Sequence, residues 1–536
     1  MAFWIRVFSG GAVFDVAFHL LTARGFVPSS LALWFGPFSF LSMLLYICYC
    51  TFIYPEYFSP YIGLPYPPGA HPLFGNFVDY GKHYYEHGLV MAEKYPDLHF
   101  TRFKGSFGMD VVSLLTAEAH RVVLQTYSYD CPKPTLAQAF KVVIGNGIVF
   151  AEGEEHKTQR KLLTPAFANA HVRKFVPIFM EKTQEVMNLF DDIVRDGPTI
   201  FPVFKYFSRL TLDTIGLASF GVDFNAVGDE DNELVTAYER VAGAGKDFFP
   251  FNMYALVPGW KFVPTDYNRN LSRSRKIFRS AVAKVFEQRQ KVTAADHKTV
   301  EEKEDAEYVQ KNRDILSIML ESDESTWSGH DVENQIMVFL FAGHETTAGA
   351  LAWAMLTLAK HPDVQEKLRA EVRASFPGGL QDIKTAEQIE SLKYLDNVTR
   401  ELFRVNPPVL TGLREAQRDI TIGDQTIYKG TGVQLCLKAM NYDPRLWGPD
   451  AAEFNPDRWN GNQASNAFAY LTFLQGPRSC IGKRFAEIEF RCILAAFVAR
   501  YKFEESVENQ PIHREFVVTV RPTDGLPMKV SRVEGW

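Results

Sequence analysis

The pattern of apolar and polar positions predicts a mostly helical body. Apolar residues recur at helical spacing over long stretches, among them residues 331–361, 363–374 and 484–500. Short pieces with a strand-like pattern, such as residues 420–427 and 516–520, are a minority. The sequence therefore predicts a mainly α fold with a small β portion.

The amino terminus is apolar and predicts membrane segments. From Gly25 through Pro55 the chain contains no Asp, Glu, Lys, Arg or His, and about 20 apolar helical residues are enough to cross a bilayer. Residues 31–54 satisfy this length. Residues 1–23 are also apolar but carry Arg, Asp and His side chains, so a second span, a re-entrant segment and an interfacial helix all stay open for them.

A proline-rich stretch separates this terminus from the rest of the chain. Four prolines and Gly69 fall within residues 60–69, a composition typical of a stiff linker. The alternative is that the amino-terminal residues form a buried hairpin of the main body. The sequence predicts three parts: hydrophobic membrane segments over 1–55, a proline-rich linker over 56–69 and one large domain over 70–536.

Composition narrows the classes of function. The formal net charge is −6, without the basic excess that binds a phosphate backbone, so nucleic acid is not an expected partner. Aromatic residues make up 14% of the chain and 44 of them are Phe, which suits an apolar pocket for a lipophilic small molecule. The six cysteines include no CxxC pair, which argues against a secreted, disulfide-rich domain.

A loop near the carboxyl end carries the most specific chemistry. Phe473, Gly476, Arg478, Cys480 and Gly482 lie in one short stretch, and a helical run follows it. Backbone N–H groups and the positive end of a helix lower a cysteine pKa, so this position predicts a thiolate. The glycines let the backbone pass close to a flat cofactor, the phenyl ring screens the sulfur from water, and the guanidinium can reach a carboxylate.

These five residue types at these spacings resemble the signature of the cytochrome P450 family. The resemblance covers roughly residues 67–527 and implies the mainly α haem-thiolate fold for residues 70–536. It also implies haem b, iron protoporphyrin IX, with its iron held by Cys480 and with Phe473 and Gly482 beside it. For an isolated cysteine, an inert buried thiol would be the preferred alternative.

The resemblance also assigns a structural cluster. Glu401 and Arg404 lie one helical turn apart, just before a pair of prolines. By resemblance they pair with each other and join Arg458 as charged anchors beneath the haem. Glu366 and Arg369 have the same spacing, so an ordinary surface pair is the alternative.

Buried haem propionates need cationic or hydrogen-bonding partners. Arg478 is one candidate, and the resemblance adds Arg414, Arg160 and His156. The family has Trp where this chain has His156, but an imidazole N–H can still donate a hydrogen bond. The alternative for His156 and Arg160 is a solvated helix face.

A second motif, residues 342–347, lies inside the longest helical pattern. Its His344 and Glu345 suggest a zinc protease, but that motif needs a second His where Ala348 stands, so zinc hydrolysis is rejected. The glycine and threonines of the motif predict a local distortion of the helix. By resemblance to the P450 family, Glu345 and Thr346 handle proton delivery; a packing kink without chemistry is the alternative.

The predicted function is an oxygen-dependent monooxygenase acting on a lipid, polyketide or terpenoid, in line with a resemblance to fungal secondary-metabolite oxidases. Electrons are expected from a separate NADPH-cytochrome P450 reductase, with cytochrome b5 left open as a second donor. We expect the enzyme to sit in the endoplasmic reticulum membrane, in contact with lipid, with its catalytic domain facing the cytosol. A basic patch is expected to dock the reductase; its members are Lys483, Arg484, His156, Lys157, Arg160 and Lys161.

Two other functions stay open. One is a haem-thiolate isomerase or dehydratase that rearranges peroxides without oxygen or a reductase. Members of that class often lose the acid–threonine pair, so Glu345 and Thr346 favour the monooxygenase. The other is a catalytically silent haem-binding or sterol-carrying protein, which would leave Thr346 without a role.

Overall fold

The computed structural model describes residues 41–42, 44–76, 84–134, 139–229, 232–242, 253–254, 259–283, 314–322, 327–461, 466–509, 512, 514–516 and 519–536. These residues form two compact units. The first unit takes the described residues of Met1–Ala139, Asn252–Trp260 and Thr411–Ala439, and the second takes those of Phe140–Phe251, Lys261–Leu410 and Met440–Trp536.

Helices dominate the described part of the chain. They are α1 (Tyr54–Tyr57), α2 (Tyr84–Lys94), α3 (Ala117–Arg121), α4 (Ala139–Ile144), α5 (Gly153–Leu163), α6 (Asn169–Val172), α7 (Val176–Ile193), α8 (Phe204–Phe220), α9 (Glu233–Ala242), α10 (266–283), α11 (Ile315–Ser322), α12 (Gly329–Lys360), α13 (Pro362–Ser375), α14 (Ala386–Glu390), α15 (Lys393–Val405), α16 (Leu437–Asn441), α17 (Pro444–Trp447) and α18 (Lys483–Arg500).

The strands are short and form small sheets. They are β1 (Phe100–Lys104), β2 (Asp110–Leu114), β3 (Thr199–Pro202), β4 (Gly412–Glu415), β5 (Ile420–Ile422), β6 (Gln425–Ile427), β7 (Gly432–Leu435), β8 (Tyr501–Glu505), β9 (Arg514–Phe516), β10 (Val520–Pro522) and β11 (Pro527–Arg532). The predicted mainly α architecture with a small β portion is confirmed.

The first unit is built on a four-stranded sheet in the order β1-β2-β7-β4. β2 and β7 run parallel, and the other two pairings are antiparallel. The end of the predicted membrane segment and the start of the predicted linker are both held against this sheet, because the hydroxyls of Tyr54 and Ser59 donate to Asp110 at 2.8 and 2.6 Å. Farther along, the Pro65 carbonyl accepts from the Arg102 N–H at 3.0 Å. The predicted division at residues 55 and 69 stays a prediction.

The second unit contains the long helices. A capping box starts α12, in which Ser328 and Asp331 each accept the other's backbone N–H at 3.2 Å. Pro362 begins α13 directly after α12 ends. Phe190 of α7 and Phe207 of α8 both meet Phe497 of α18 edge to face at 5.1 Å, so three helices share one aromatic core. A three-stranded antiparallel sheet, β3-β11-β8, completes the unit.

The α8–α12 contact explains a glycine of the 342–347 motif. A Cβ placed on Gly343 would lie 2.7 Å from the Ile215 side chain, so glycine is needed for the two helices to approach this closely. α12 is assigned as continuous α-helix from Gly329 to Lys360. The predicted distortion at this motif is therefore not observed, and the glycine serves helix packing instead.

The predicted helices at 331–361, 363–374 and 484–500 are confirmed as α12, α13 and α18. The two strand-like pieces need correction. Residues 420–427 form the hairpin β5-β6, because Gly423 has a positive φ of 59° that reverses the chain. Residues 516–520 likewise join two antiparallel strands, β9 and β10.

Most of the predicted membrane segment, residues 1–40, lies outside the described residues. In the part of the chain that the structure describes, no helix has the length and apolar character required to cross a bilayer.

Candidate active site

One buried carboxylate organises the carboxyl-terminal side of α15. Glu401 is completely buried and accepts from both Nε and Nη2 of Arg404 at 2.8 and 2.7 Å. It also accepts from Arg458 Nε at 2.9 Å and from the indole N–H of Trp459 at 3.0 Å. The structure thus brings Glu401, Arg404 and Arg458 together, and the surface-pair alternative fails for them.

A chain of hydrogen bonds connects the Glu401 cluster to the cysteine loop. Arg404 donates to the carbonyl of Asn441 at 2.7 Å. The Asn441 amide in turn accepts from the Leu471 N–H at 3.2 Å and donates to the Thr472 hydroxyl at 3.0 Å. Thr472 donates onward to the Phe403 carbonyl on α15 at 2.9 Å. The start of the loop is therefore fixed to α15.

The loop closes on itself around the cysteine. The Cys480 N–H donates to the carbonyl of Phe473 at 2.8 Å, and the Ser479 N–H donates to that of Gly476 at 3.0 Å. Gly476 has a positive φ of 77°, which a glycine adopts without strain. Arg160 of α5 donates to the Ser479 carbonyl at 2.6 Å. These contacts define the orientation of the cysteine without any help from a ligand.

The Cys480 sulfur sits in an unusual environment. Its side chain is exposed, yet burial among the surrounding protein atoms raises the pKa of its thiol, while the Gly482 N–H, Arg160 and Lys483 lower it. Because the Cys480 thiol is both exposed and surrounded by protein atoms, it lies on the wall of a recess. The predicted lowering of this pKa is therefore present, through the Gly482 N–H and the two cations, but burial outweighs it.

Cys436 is the cysteine to compare with Cys480. It is buried, and burial raises the pKa of its thiol to about 12. Its backbone N–H donates to His120 at 3.1 Å, and Gly88 lies so close that an added Cβ would be 2.9 Å from its sulfur. This crowding leaves no room for a ligand, so Cys480 suits a metal better.

The helix α5 packs beside the cysteine loop and forms the second side of the candidate site. Arg478 of the loop donates to the Ala151 carbonyl at 3.0 Å and pairs with Glu152. His156, one turn into α5, is buried. Arg478 thus contacts the residues just before α5, while His156 lies in its first turn and Arg160 in its last turn. Arg414 belongs to the first unit, where it is buried on β4 and donates to the Leu413 carbonyl at 2.8 Å.

Two contacts link α5 and the segment after it to α12. The amide of Gln335 on α12 donates to that of Gln159 on α5 at 2.9 Å. Phe167 packs edge to face on Phe339 of α12 at 5.4 Å, and the same ring is the nearest group that a Cβ on Gly482 would meet, at 4.0 Å. Sequence patterns gave no signal for these contacts, because each joins distant segments of the chain.

The polar residues of α12 have distinct partners. Thr346 donates its hydroxyl proton to the Ala342 carbonyl at 2.7 Å. Glu345 is buried and accepts from Arg521 of β10 at 3.4 Å; this arginine also pairs with Glu515 at 3.0 Å. Arg521 was not predicted, because it lies 176 positions away from its partner.

His344 is not a metal ligand or a charge in this helix. Its ring bonds to the Ser208 hydroxyl at 2.8 Å and stacks edge to face on Tyr238 at 4.7 Å. Burial lowers the pKa of His344 to about 3, so the ring is neutral at physiological pH. Its place beside Glu345 reflects helix packing, as the rejection of the zinc motif implied.

The residues at this site fit a flat, anionic, iron-bearing cofactor. The accessible Cys480 sulfur supplies a soft ligand. Gly482 leaves space beside the loop, since the nearest atom to an added Cβ is 4.0 Å away, on the Phe167 ring. Arg478, Arg160 and the buried His156 supply cationic or N–H donors for carboxylates.

A profile of the cytochrome P450 family matches residues 65–529. The chain belongs to the cytochrome P450 family. Among curated relatives, it is 37% identical to the cytochrome P450 monooxygenase sphH of Aspergillus fumigatus, over 91% of this chain and 92% of that protein. It is 30% identical to the monooxygenase FSL4 of Gibberella zeae, over 92% and 93% of the two chains, and 31% identical to the monooxygenase 128 of Postia placenta, over 87% and 90%.

These similarities confirm the predicted enzyme class, a cytochrome P450 monooxygenase, and the family implies a haem iron. The roles of individual residues in this P450 stay predictions. The residues predicted on the cysteine loop, on α5 and on α15 are held in place by contacts with one another. The predicted pair on α12 has other partners: Thr346 donates to Ala342, and Glu345 accepts from Arg521.

A matched pair of substitutions tests the anchor role of Glu401. Glu401→Gln leaves the buried Arg404 without a counter-charge and Arg458 with Asp450 as its remaining carboxylate partner, so we expect a loss of about 3–5 kcal/mol in the free energy of unfolding. The control is Glu366→Gln, since Glu366 makes the same pair with Arg369 but is 69% exposed; it should cost less than about 1 kcal/mol. Urea unfolding and haem content measure both variants. Equal losses would contradict the anchor role.

Proposed function

We propose that this P450 uses molecular oxygen and NADPH-derived electrons to oxidise a lipophilic small molecule such as a lipid, polyketide or terpenoid, in secondary metabolism. The proposal rests chiefly on one observation, the accessible Cys480 sulfur held in a loop that the rest of the unit fixes. The aromatic composition and the Phe167–Phe339 pair beside the loop favour an apolar substrate.

The proposed cofactor is haem b, which would supply oxygen activation and electron transfer once it is bound through Cys480. Arg160 and Arg478 would hold its propionates together with His156, and Arg414 of the first unit is proposed as a further partner. Phe473 packs on Phe403 edge to face at 5.4 Å. The ring is therefore anchored where it can shield the sulfur from water.

The chain's own part in the chemistry is to position and move protons. The Thr346 hydroxyl has one proton to donate and gives it to the Ala342 carbonyl in this structure. A rotation about its side chain would free this donor for a ligand beside α12. Glu345, held by Arg521, would take a proton from water and pass it to the hydroxyl after each transfer.

The rival function is a haem-thiolate isomerase or dehydratase that rearranges peroxides. Such chemistry needs the cysteine and an apolar pocket but no external protons. The Glu345 carboxyl is buried and pairs with Arg521, and a buried ion pair of this kind adds little to stability, so proton delivery gives a reason for an acid at this position. This supports the monooxygenase.

The proposed electron donor is a separate NADPH-cytochrome P450 reductase, with cytochrome b5 as an optional second donor. It would dock on the basic patch predicted around the cysteine loop. Part of that patch is neutralised: Arg484 pairs with Glu390, and Lys157 pairs with Glu154. Lys483 is 44% exposed and 3.9 Å from its nearest acid, so it should contribute most to steering.

The proposed location is the endoplasmic reticulum membrane, with the catalytic part in the cytosol and lipid against the amino-terminal residues. Support comes from large apolar side chains that stay exposed in residues 41–62 of the first unit. These are Leu41, Leu44, Leu45, Tyr49, Phe52, Ile53, Tyr57, Phe58 and Ile62.

Substituting two cysteines tests the proposed iron ligand. Reduced, carbon-monoxide-treated wild-type protein should give the red-shifted Soret band of thiolate-ligated haem. Cys480→Ser should lose that band, because an alcohol is a poor ligand for this iron, whereas Cys436→Ser should keep it. If Cys436→Ser loses the red-shifted band and Cys480→Ser keeps it, the iron ligand is Cys436 and the proposal is wrong.

Thr346→Ala tests the proton role of α12. It removes the hydroxyl and leaves Cys480 and Glu401 untouched, so haem content and substrate-induced spectral change should persist. If one placed donor is worth about 3 kcal/mol in the transition state, product formation should fall on the order of a hundredfold while NADPH is still consumed and hydrogen peroxide rises. Product, peroxide and NADPH are measured together. Unchanged coupling would favour the rearranging alternative.

Vesicle binding tests the membrane proposal. The triple variant Leu45→Ser, Phe52→Ser and Phe58→Ser removes three exposed apolar side chains, each worth about 1.5–3 kcal/mol when buried. Co-sedimentation with phosphatidylcholine vesicles, using a chain that lacks residues 1–40, should weaken at least about a hundredfold. Val507→Ser, at a residue 59% exposed in the second unit, is the control and should bind normally. Equal binding of all forms would exclude this surface as the lipid contact.

A further inference from the structure

The buried amide of Gln335 on α12 joins two other parts of the second unit. Its side chain is completely buried. The amide oxygen accepts from the Ile148 N–H at 3.0 Å, and the amide nitrogen donates to the Gln159 side chain on α5 at 2.9 Å. Ile148 and Gln159 are buried as well, so a lost bond at this place leaves a buried polar group unsatisfied. Glutamine suits the position because it offers an acceptor to one partner and a donor to the other.

The first partner, Ile148, belongs to a tight turn over residues 147–151, which we call the bridge turn. The Gly147 carbonyl accepts from the Ala151 N–H at 3.1 Å. A Cβ placed on Gly147 would lie 2.7 Å from the Val338 side chain of α12, so glycine allows the turn to lie directly on that helix. The bridge turn is therefore fixed on α12 by a hydrogen bond and by close packing.

Both hydrogen-bond partners of this amide lead on to the cysteine loop. The bridge turn ends at the Ala151 carbonyl, which accepts from Arg478 at 3.0 Å. On α5, Gln159 is followed directly by Arg160, which donates to a carbonyl of the cysteine loop at 2.6 Å. Two arginines proposed to hold haem propionates are thus connected to α12 through one buried side chain.

The bridge turn and α5 are also joined to each other. Asn146, next to the turn, donates to Glu155 Oε1 at 2.8 Å, and Gln159 donates to the same oxygen at 3.2 Å. Glu155 is exposed, whereas Gln335 lies at the buried end of this set of contacts. The buried end should contribute most to its rigidity, because water competes for the hydrogen bonds at the exposed end.

We propose that Gln335 is a positioning residue for haem binding. It holds the bridge turn and α5 at fixed places on α12 and thereby sets the places of Arg478 and Arg160 for the haem propionates. Indirect contacts that orient the groups around a bound metal are worth about 10–100-fold in affinity. The role deepens the proposed function and rests on it, since it needs the propionate contacts proposed there.

Amide hydrogen exchange tests the fixing of the bridge turn without any turnover. In haem-loaded Gln335→Leu, the Ile148 amide should exchange at least about tenfold faster than in wild type, the factor that one lost buried hydrogen bond can supply. Gln365→Leu is the matched control, because Gln365 of α13 is also a buried amide, bonded to the Phe503 backbone at 2.9 and 3.1 Å. In that variant the Ile148 amide should exchange as in wild type. Unchanged exchange in Gln335→Leu overturns the proposal.

Haem transfer from each loaded protein to apomyoglobin measures the positioning itself. Gln335→Leu should release haem at least about tenfold faster than wild type. Gln365→Leu should lower the melting temperature, since it loses bonds to Leu358 and Phe503, but it should release haem at the wild-type rate. Equal release from the two variants would mean that Gln335 supports only the fold, and the proposal would then be wrong.

Two further variants separate the contacts of Gln335. Gln159→Leu keeps the Ile148 bond and removes the contact with α5, so its rate of haem release should lie between those of wild type and Gln335→Leu. If Gln335→Leu cannot be prepared, release from Gln159→Leu at the wild-type rate overturns the proposal. Gln335→Glu should restore slow release, because a protonated carboxyl again offers an acceptor and a donor.

The proposed function and the role of Gln335 fail in different ways. If wild-type protein shows no red-shifted Soret band after reduction and carbon monoxide, the haem-thiolate function fails and takes the positioning role with it. If wild type shows that band and Gln335→Leu releases haem at the wild-type rate, only the role of Gln335 fails.

Discussion

The carboxylate of Glu401 is the charge on which the active-site frame depends. Two arginines and an indole N–H converge on it in the interior, and breaking a buried pair of this kind is costly because the surviving charges stay buried. Through Arg404 and Asn441 the same cluster reaches the backbone N–H of Leu471 and the side-chain hydroxyl of Thr472. The orientation of the cysteine loop is thus set by an electrostatic centre far from the sulfur in sequence.

Buried acids in the second unit serve different purposes according to their partners. Glu401 is held by two arginines and an indole N–H and acts as structure, whereas Glu345 accepts from Arg521 at a longer distance, 3.4 Å. Glu489 has no hydrogen-bond partner among the described residues, and burial raises the pKa of its carboxyl to about 8. A buried carboxyl with cationic donors is held as a charge, and one without them tends to keep its proton.

The sequence predicted features that depend on neighbours along the chain. Helix bounds and the helix that follows the Cys480 loop could be predicted from spacing within a few turns. The Glu401–Arg404 pair needed the resemblance to the family as well, because Glu366 and Arg369 have the same spacing. Features set by tertiary packing could not be predicted: the Arg521 partner of Glu345 comes from a separate hairpin. The thiol pKa of Cys480 differed from expectation for the same reason, since desolvation by distant segments exceeds the effect of the helix end.

The closure of the cysteine loop has a consequence for which substitutions the site tolerates. Its shape comes from the Cys480–Phe473 and Ser479–Gly476 backbone bonds and from the Arg160 contact with the Ser479 carbonyl. Two of these three contacts use main-chain atoms on both sides, so a change of side chain at most loop positions leaves them in place. The loop is therefore more vulnerable to a proline or to a shift of the backbone than to an exchange of side chains.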